Sequence, residues 1–86
     1  MNPAADIWTK VMELMQPDMT ATTLSTWFDD AYAVALEEDR FVLCSPTSFK
    51  RNIIASRYVP YIQKALYELF SADLDVVVLT EEELGS

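Results

Sequence analysis

Between residues 31 and 45 the spacing of apolar residues changes period. In "AYAVALEEDRFVLCS" the large residues Tyr32, Val34 and Leu36 alternate with Ala31, Ala33 and Ala35. That is the two-residue repeat of a strand with one bulky and one small face. The acidic turn Glu37 to Asp39 leads into a return strand, Arg40 to Cys44, so the segment predicts a β-hairpin. A face of alanines predicts close approach by a helix. On both sides of the hairpin the spacing is helical, and this mixture constrains the chain to an α+β arrangement, a small sheet covered by helices.

The first helix is predicted from about Pro3 to Gln16. Ile7, Trp8, Val11, Leu14 and Met15 form a broad apolar face, Asn2 precedes Pro3 as a cap would, and Pro17 cannot continue the helix. A second helix, capped by Asp18 or Thr20, is predicted to run to Phe28. After the hairpin, Ser45 and Pro46 have the form of an N-cap and first helical residue. Phe49, Ile53, Ile54, Tyr58, Ile62, Ala65, Leu66, Leu69 and Phe70 then keep helical spacing. Pro60 interrupts that run, which predicts a kink near Ser56 to Val59. "DLDVVVL" predicts a third strand. The expected order is α-α-β-β-α(kinked)-β. Residues 1–80 are expected to form a single interaction domain, with 81–86 a polar, frayed tail or the start of a linker.

Several function classes are disfavoured by residue content. The chain has no His, one Gly (Gly85) and one Cys (Cys44) in 86 residues. Without His there is no ordinary imidazole base or common metal ligand, and no glycine loop can wrap a phosphate. Asp29 and Asp30 are sequence neighbours whose carboxylates normally diverge. The "EED" turn and "EEE" tail read as solvated charge rather than a metal site. No catalytic, metal or cofactor site is therefore expected. A lone Cys in an apolar strand reads as a small buried hydrophobe, which suits a reducing, cytoplasmic setting. No apolar run is long enough for a membrane span, and no secretory leader opens the sequence.

Net charge is −8, which opposes nonspecific adhesion to nucleic acid or anionic lipid. From Arg40 to Tyr67, however, five basic residues meet no acidic one. Lys50, Arg51 and Arg57 in that window are candidates for contact with a single strand, against the plainer reading of a solvated helix face. The kink at Pro60 would rotate Lys64 out of line with Lys50 and Arg57.

The stretch "TLSTWFDDAY" puts Trp27 beside Phe28. Helical neighbours diverge by about 100°, so one ring is expected in the core and the other near the surface. The residues alone leave open whether Trp27 lies at the surface near Phe49 or simply packs inside. Trp8 carries the same ambiguity between a core role and a contact role.

Four segments, "IWTKVMELM", "LSTWFDDAYAVAL", "FVLCSPTSF" and "SRYVPYIQKALYEL", together resemble the N-terminal domain, domain I, of the bacterial replication initiator DnaA. The resemblance spans about residues 6 to 79 and rests on Trp8, Trp27-Phe28, Ser45-Pro46-x-x-Phe49 and Ser56-Arg57-Tyr58 in order. It implies a KH-like fold. It also implies self-association as a weak homodimer, recruitment of the replicative helicase, binding of initiation regulators, and weak affinity for single-stranded DNA. ATP would belong only to an AAA+ domain outside this segment. On the same resemblance, Ile7, Trp8 and Val11 fall in the self-association region. Thr23, Thr26, Trp27, Phe49 and Lys50 fall in the partner-binding patch, so the resemblance implies that Phe28 faces the core and Trp27 lies at the surface near Phe49.

There are departures from the family pattern. Thr23 stands where some members are acidic, Asp29-Asp30 replaces a basic or Pro-containing pair, Ile53 stands where many have Trp, and Pro60 has no usual counterpart. The alternative function is a weak single-strand-binding KH-like module. It lacks the GXXG loop with which such modules clamp a backbone.

Overall fold

The computed structural model describes residues 3–85; the cap expected at Asn2 lies outside them. Helix α1 spans Pro3–Met15 and helix α2 spans Ala21–Phe28. Of the two caps considered for α2, Thr20 is used, its hydroxyl accepting from the Thr23 N–H at 3.1 Å. Strands β1 (Tyr32–Glu37) and β2 (Arg40–Cys44) form the hairpin, antiparallel, and β3 (Asp75–Leu79) adds parallel to β2. The sheet order is β1-β2-β3. Helix α3 (Ser48–Ile53), a π-helical turn (Ile54–Tyr58) and helix α4 (Val59–Phe70) make the crossover between the parallel strands. A short turn of helix, α5 (Glu81–Leu84), follows β3. The architecture is α+β, a three-stranded sheet packed against helices.

Sheet and helices meet through one apolar cluster. On one face of the sheet, Phe41 and Leu43 of β2 pair in register with Val76 and Val78 of β3. Against them lie Ala4, Trp8, Val11 and Met15 of α1, Phe28 of α2, Ile54, and Ile62, Ala65 and Leu66 of α4. The four α1 residues follow one stripe at three- and four-residue steps, as a helix packed on a sheet requires.

The expected pattern in β1 is broken by a bulge. Pairing slips between Ala33 and Ala35, leaving Val34 as the extra residue. Ala33 then stands opposite Leu43 and Leu36 opposite Phe41, so a small and a large residue share the core side. Tyr32, expected on the bulky face with Leu36, is exposed instead.

Two further expectations change in detail. Ser45 does not cap α3. Its N–H donates to the Leu79 carbonyl at 2.8 Å, extending the sheet by one bond, and the N-cap is Thr47. The helix thus starts two residues after Pro46. The tail after Thr80, expected to fray, forms α5 with a reciprocal capping box between Thr80 and Glu83.

The kink expected near Ser56 to Val59 takes the form of the π turn. Pro60 has no N–H to offer the Ser56 carbonyl, and its ring would strike that carbonyl in a regular helix. The backbone widens instead, and the Val59 N–H reaches back five residues to Ile54. With glycine present only at position 85, the two described positive-φ positions are filled by Glu38 in the hairpin turn (50°) and Ser71 after α4 (54°).

Candidate interaction surface

The C-terminal turn of α2 presents its two rings in different directions. Phe28 is buried and contacts Trp8 at 5.6 Å between ring centroids. Trp27 is half-buried and meets Phe49 of α3 at 5.9 Å and Tyr58 of the π turn at 6.5 Å. Phe49 is 69% exposed, far more than a ring that served the core would be. Tyr58 continues the contact to Tyr61 of α4 at 6.2 Å, and Tyr61 is 39% exposed. Four aromatic rings drawn from α2, α3, the π turn and α4 therefore form a chain that reaches solvent at both ends.

Charge borders the Phe49 end. The Lys50 ammonium donates to Asp29 Oδ1 at 2.7 Å and lies 3.7 Å from Asp30 Oδ2. The hydrogen bond from Lys50 holds the Asp29 carboxyl below its ordinary 3.8. The same bond holds the Lys50 ammonium above its ordinary 10.5. Two carboxylates share one ammonium, so this rim keeps a negative surplus. Thr26 is exposed on α2, whereas Thr23 is turned back into the N-terminal cap, its hydroxyl 2.9 Å from that of Thr20.

The three cations considered for a single strand are not equivalent. Lys50 is engaged as described. Arg51 is held by Glu83, with Nη2 at 2.6 Å from both carboxylate oxygens, and its Nη1 donates to Asn52 Oδ1 at 2.7 Å. Arg57 is exposed, and no ion pair to it is found among the described residues. Lys64 pairs with Asp18 at 3.2 Å. No continuous basic stripe is available.

The α1 residues considered for self-association do not form a surface. Trp8 is 5% exposed and packed between the tilted rings of Phe28 and Phe41, and Val11 is fully buried. The apolar stripe of α1 faces the sheet, so only Ile7 of the three stays partly open. Among the described residues, no group of three or more His, Cys, Asp or Glu is placed to hold a metal ion. Nor is any helix long and apolar enough to cross a membrane.

With this geometry in place, comparison with known proteins is decisive on one point. The family model of the DnaA N-terminal domain matches residues 5–68. The chain belongs to the DnaA N-terminal domain family. Curated relatives agree. The chain is 30% identical over 77 residues to a protein of Caldanaerobacter subterraneus subsp. tengcongensis named chromosomal replication initiator protein DnaA. It is 29% identical over the same length to proteins of that name from Thermoanaerobacter sp. and Thermoanaerobacter pseudethanolicus. Each match covers 90% of this chain and 17% of the relative, so the chain spans about a sixth of these DnaA proteins. Tyr61 and its contact with Tyr58 were not singled out from sequence. The available signal was a tyrosine one residue after Pro60, where the π turn shifts the outward face.

Proposed function

We propose that this DnaA N-terminal domain is a non-enzymatic docking module of a replication initiator. It would act in the cytoplasm, engaging the replicative helicase and initiation regulators through the ring surface of Trp27, Phe49, Tyr58 and Tyr61. The observation that supports this most is Phe49, a large ring left mostly in solvent yet braced by Trp27. Aromatic anchors of this kind carry a disproportionate share of interface energy. Thr26, Lys50 and the Asp29–Asp30 pair form the polar rim, and their negative surplus selects partners with a basic complement. Thr23 contributes by holding α2 in place rather than by contact. No cofactor is assigned to this domain; ATP would bind in an AAA+ domain outside it.

Self-association as a weak homodimer fits the family. Through α1 it would rely on Ile7 and its exposed neighbours, because Trp8 and Val11 are sealed in the core. The single-strand reading is the weaker one, since among the described residues Lys50 and Arg51 are each held by carboxylates and only Arg57 of the three candidate cations shows no ion pair. Any such binding should be slight and should vanish with added salt.

The test is affinity for the purified replicative helicase of the same cell, measured for wild type and Phe49→Ala. Loss of binding with unchanged melting supports the proposal. Equal affinity for the two proteins rejects it.

A further inference from the structure

Helix α5 has four residues, far too few to be stable alone in water, so something outside it must keep it formed. Beside the backbone bonds from the Leu84 and Gly85 N–H groups to the Thr80 and Glu81 carbonyls, the side-chain bonds that fasten it converge on Glu83. Glu83 Oε1 accepts the Thr80 N–H at 3.0 Å, and the Glu83 N–H in turn donates to the Thr80 hydroxyl at 3.1 Å. The same carboxylate takes Arg51 Nη2 from α3 at 2.6 Å on each oxygen. Arg51 and Glu83 are 28% and 40% exposed in their side chains, so the pair is only partly screened by water. Thr80 is buried, and Ser48, Arg51, Asn52, Thr80, Glu82 and Glu83 line one cleft between α3 and α5.

We propose that α5 is a strap: Glu83 fastens the segment after β3 onto α3 and covers the guanidinium of Arg51. Because the cap and the cross-link share one side chain, the strap opens as a unit rather than fraying residue by residue. A chain continuing past residue 86 would then leave the domain from beside α3, the helix that carries Phe49. Opening the strap would free that direction and expose Arg51 to outside anions. This holds whichever partner docks on the rings.

Two variants separate the cap from the fastener. Glu83→Gln keeps a side chain that can still close a capping box but removes the charge that Arg51 grips. Arg51→Met leaves the box intact and removes the grip from the other side. Position 85 tolerates a label, since a Cβ on Gly85 meets only the Glu81 and Glu82 carbonyls at 3.6 and 3.8 Å. A nitroxide on Gly85→Cys should bleach the amide signals of Ser48, Arg51 and Asn52; Cys44 is buried and will not compete for the label. Adding either Glu83→Gln or Arg51→Met should restore those signals and speed amide exchange at Glu83, Leu84 and Gly85 at least three-fold, with the sheet amides unchanged. Bleaching and exchange that stay as in the parent in both variants would overturn the strap. So would absence of bleaching in the parent.

Discussion

Phe28 and Phe49 show how one residue type serves two purposes in this domain. Phe28 lies between Trp8 and Tyr58 with no solvent face, and truncating it to Ala should cost about 3–5 kcal/mol of stability. Phe49 projects outward, and the same truncation should move stability by no more than about 0.5 kcal/mol. Urea denaturation of the two variants beside wild type checks the contrast. Charge at this scale gives a second expectation. The Asp29 carboxyl lies below its ordinary 3.8 because Lys50 donates to it. The Glu83 carboxyl lies below its ordinary 4.5 because the Thr80 N–H and then Arg51 donate to it. Groups depressed on folding stabilise the native state above their unfolded values and lose that contribution as pH falls through the folded ones. Stability should therefore decline below about pH 4. The decline should be shallower in Lys50→Met and in Arg51→Met, as denaturation midpoints measured across pH would show.

The elements explain which parts of the fold were readable in advance. Helices α1 and α4 and strand β1 follow from period, because burying one face demands repeats of about 3.6 or 2 residues, whereas α2 is read from its cap and β2 and β3 as short apolar runs. Pro60 announced a break in the crossover helix, since a missing N–H and a ring clash are local facts. The same local facts do not choose among ways of absorbing the break, so the π turn was not legible. The bulge at Val34 was hidden for a related reason. Alternation predicts a straight strand, whereas α1 packs where Ala33 and Leu36 can both face it. Ser45 looked like a cap because its type is favoured there, but the Leu79 carbonyl, 34 positions away in sequence, claims its N–H. Ser71 offers a test at this scale. It ends α4 with φ 54°, its N–H donating to the Tyr67 carbonyl at 2.7 Å. A non-glycine residue in that region carries roughly 1 kcal/mol of strain. Ser71→Gly should raise stability by up to about that amount, and an unchanged or lower denaturation midpoint would show that the strain is absent.

At the scale of the whole molecule, one core built around Trp8, Phe28 and Phe41 supports a row of rings in which Trp27 and Tyr58 pack against it while Phe49 and Tyr61 reach solvent. That division answers what a domain of this size does with so many aromatics: some hold the sheet to the helices, and the others face outward. The ring surface was partly legible, because adjacent Trp27 and Phe28 diverge by about 100° on a helix. Its extension to Tyr58 and Tyr61 was not, because it depends on the rotation introduced by the π turn. The α1 stripe left two readings open, because an apolar stripe looks the same whether a sheet or a second copy covers it, and the structure buries Trp8 and Val11 in the core. The proposed docking role depends most on the outward rings being where another protein binds. Its most direct test is a titration of isotope-labelled domain with purified replicative helicase from the same cell, followed by amide and indole resonances. We expect broadening first at Trp27, Phe49, Lys50, Tyr58 and Tyr61, and none of it in Phe49→Ala. Broadening that leaves these residues untouched and maps instead to the far side of the sheet or to α1 would contradict the account.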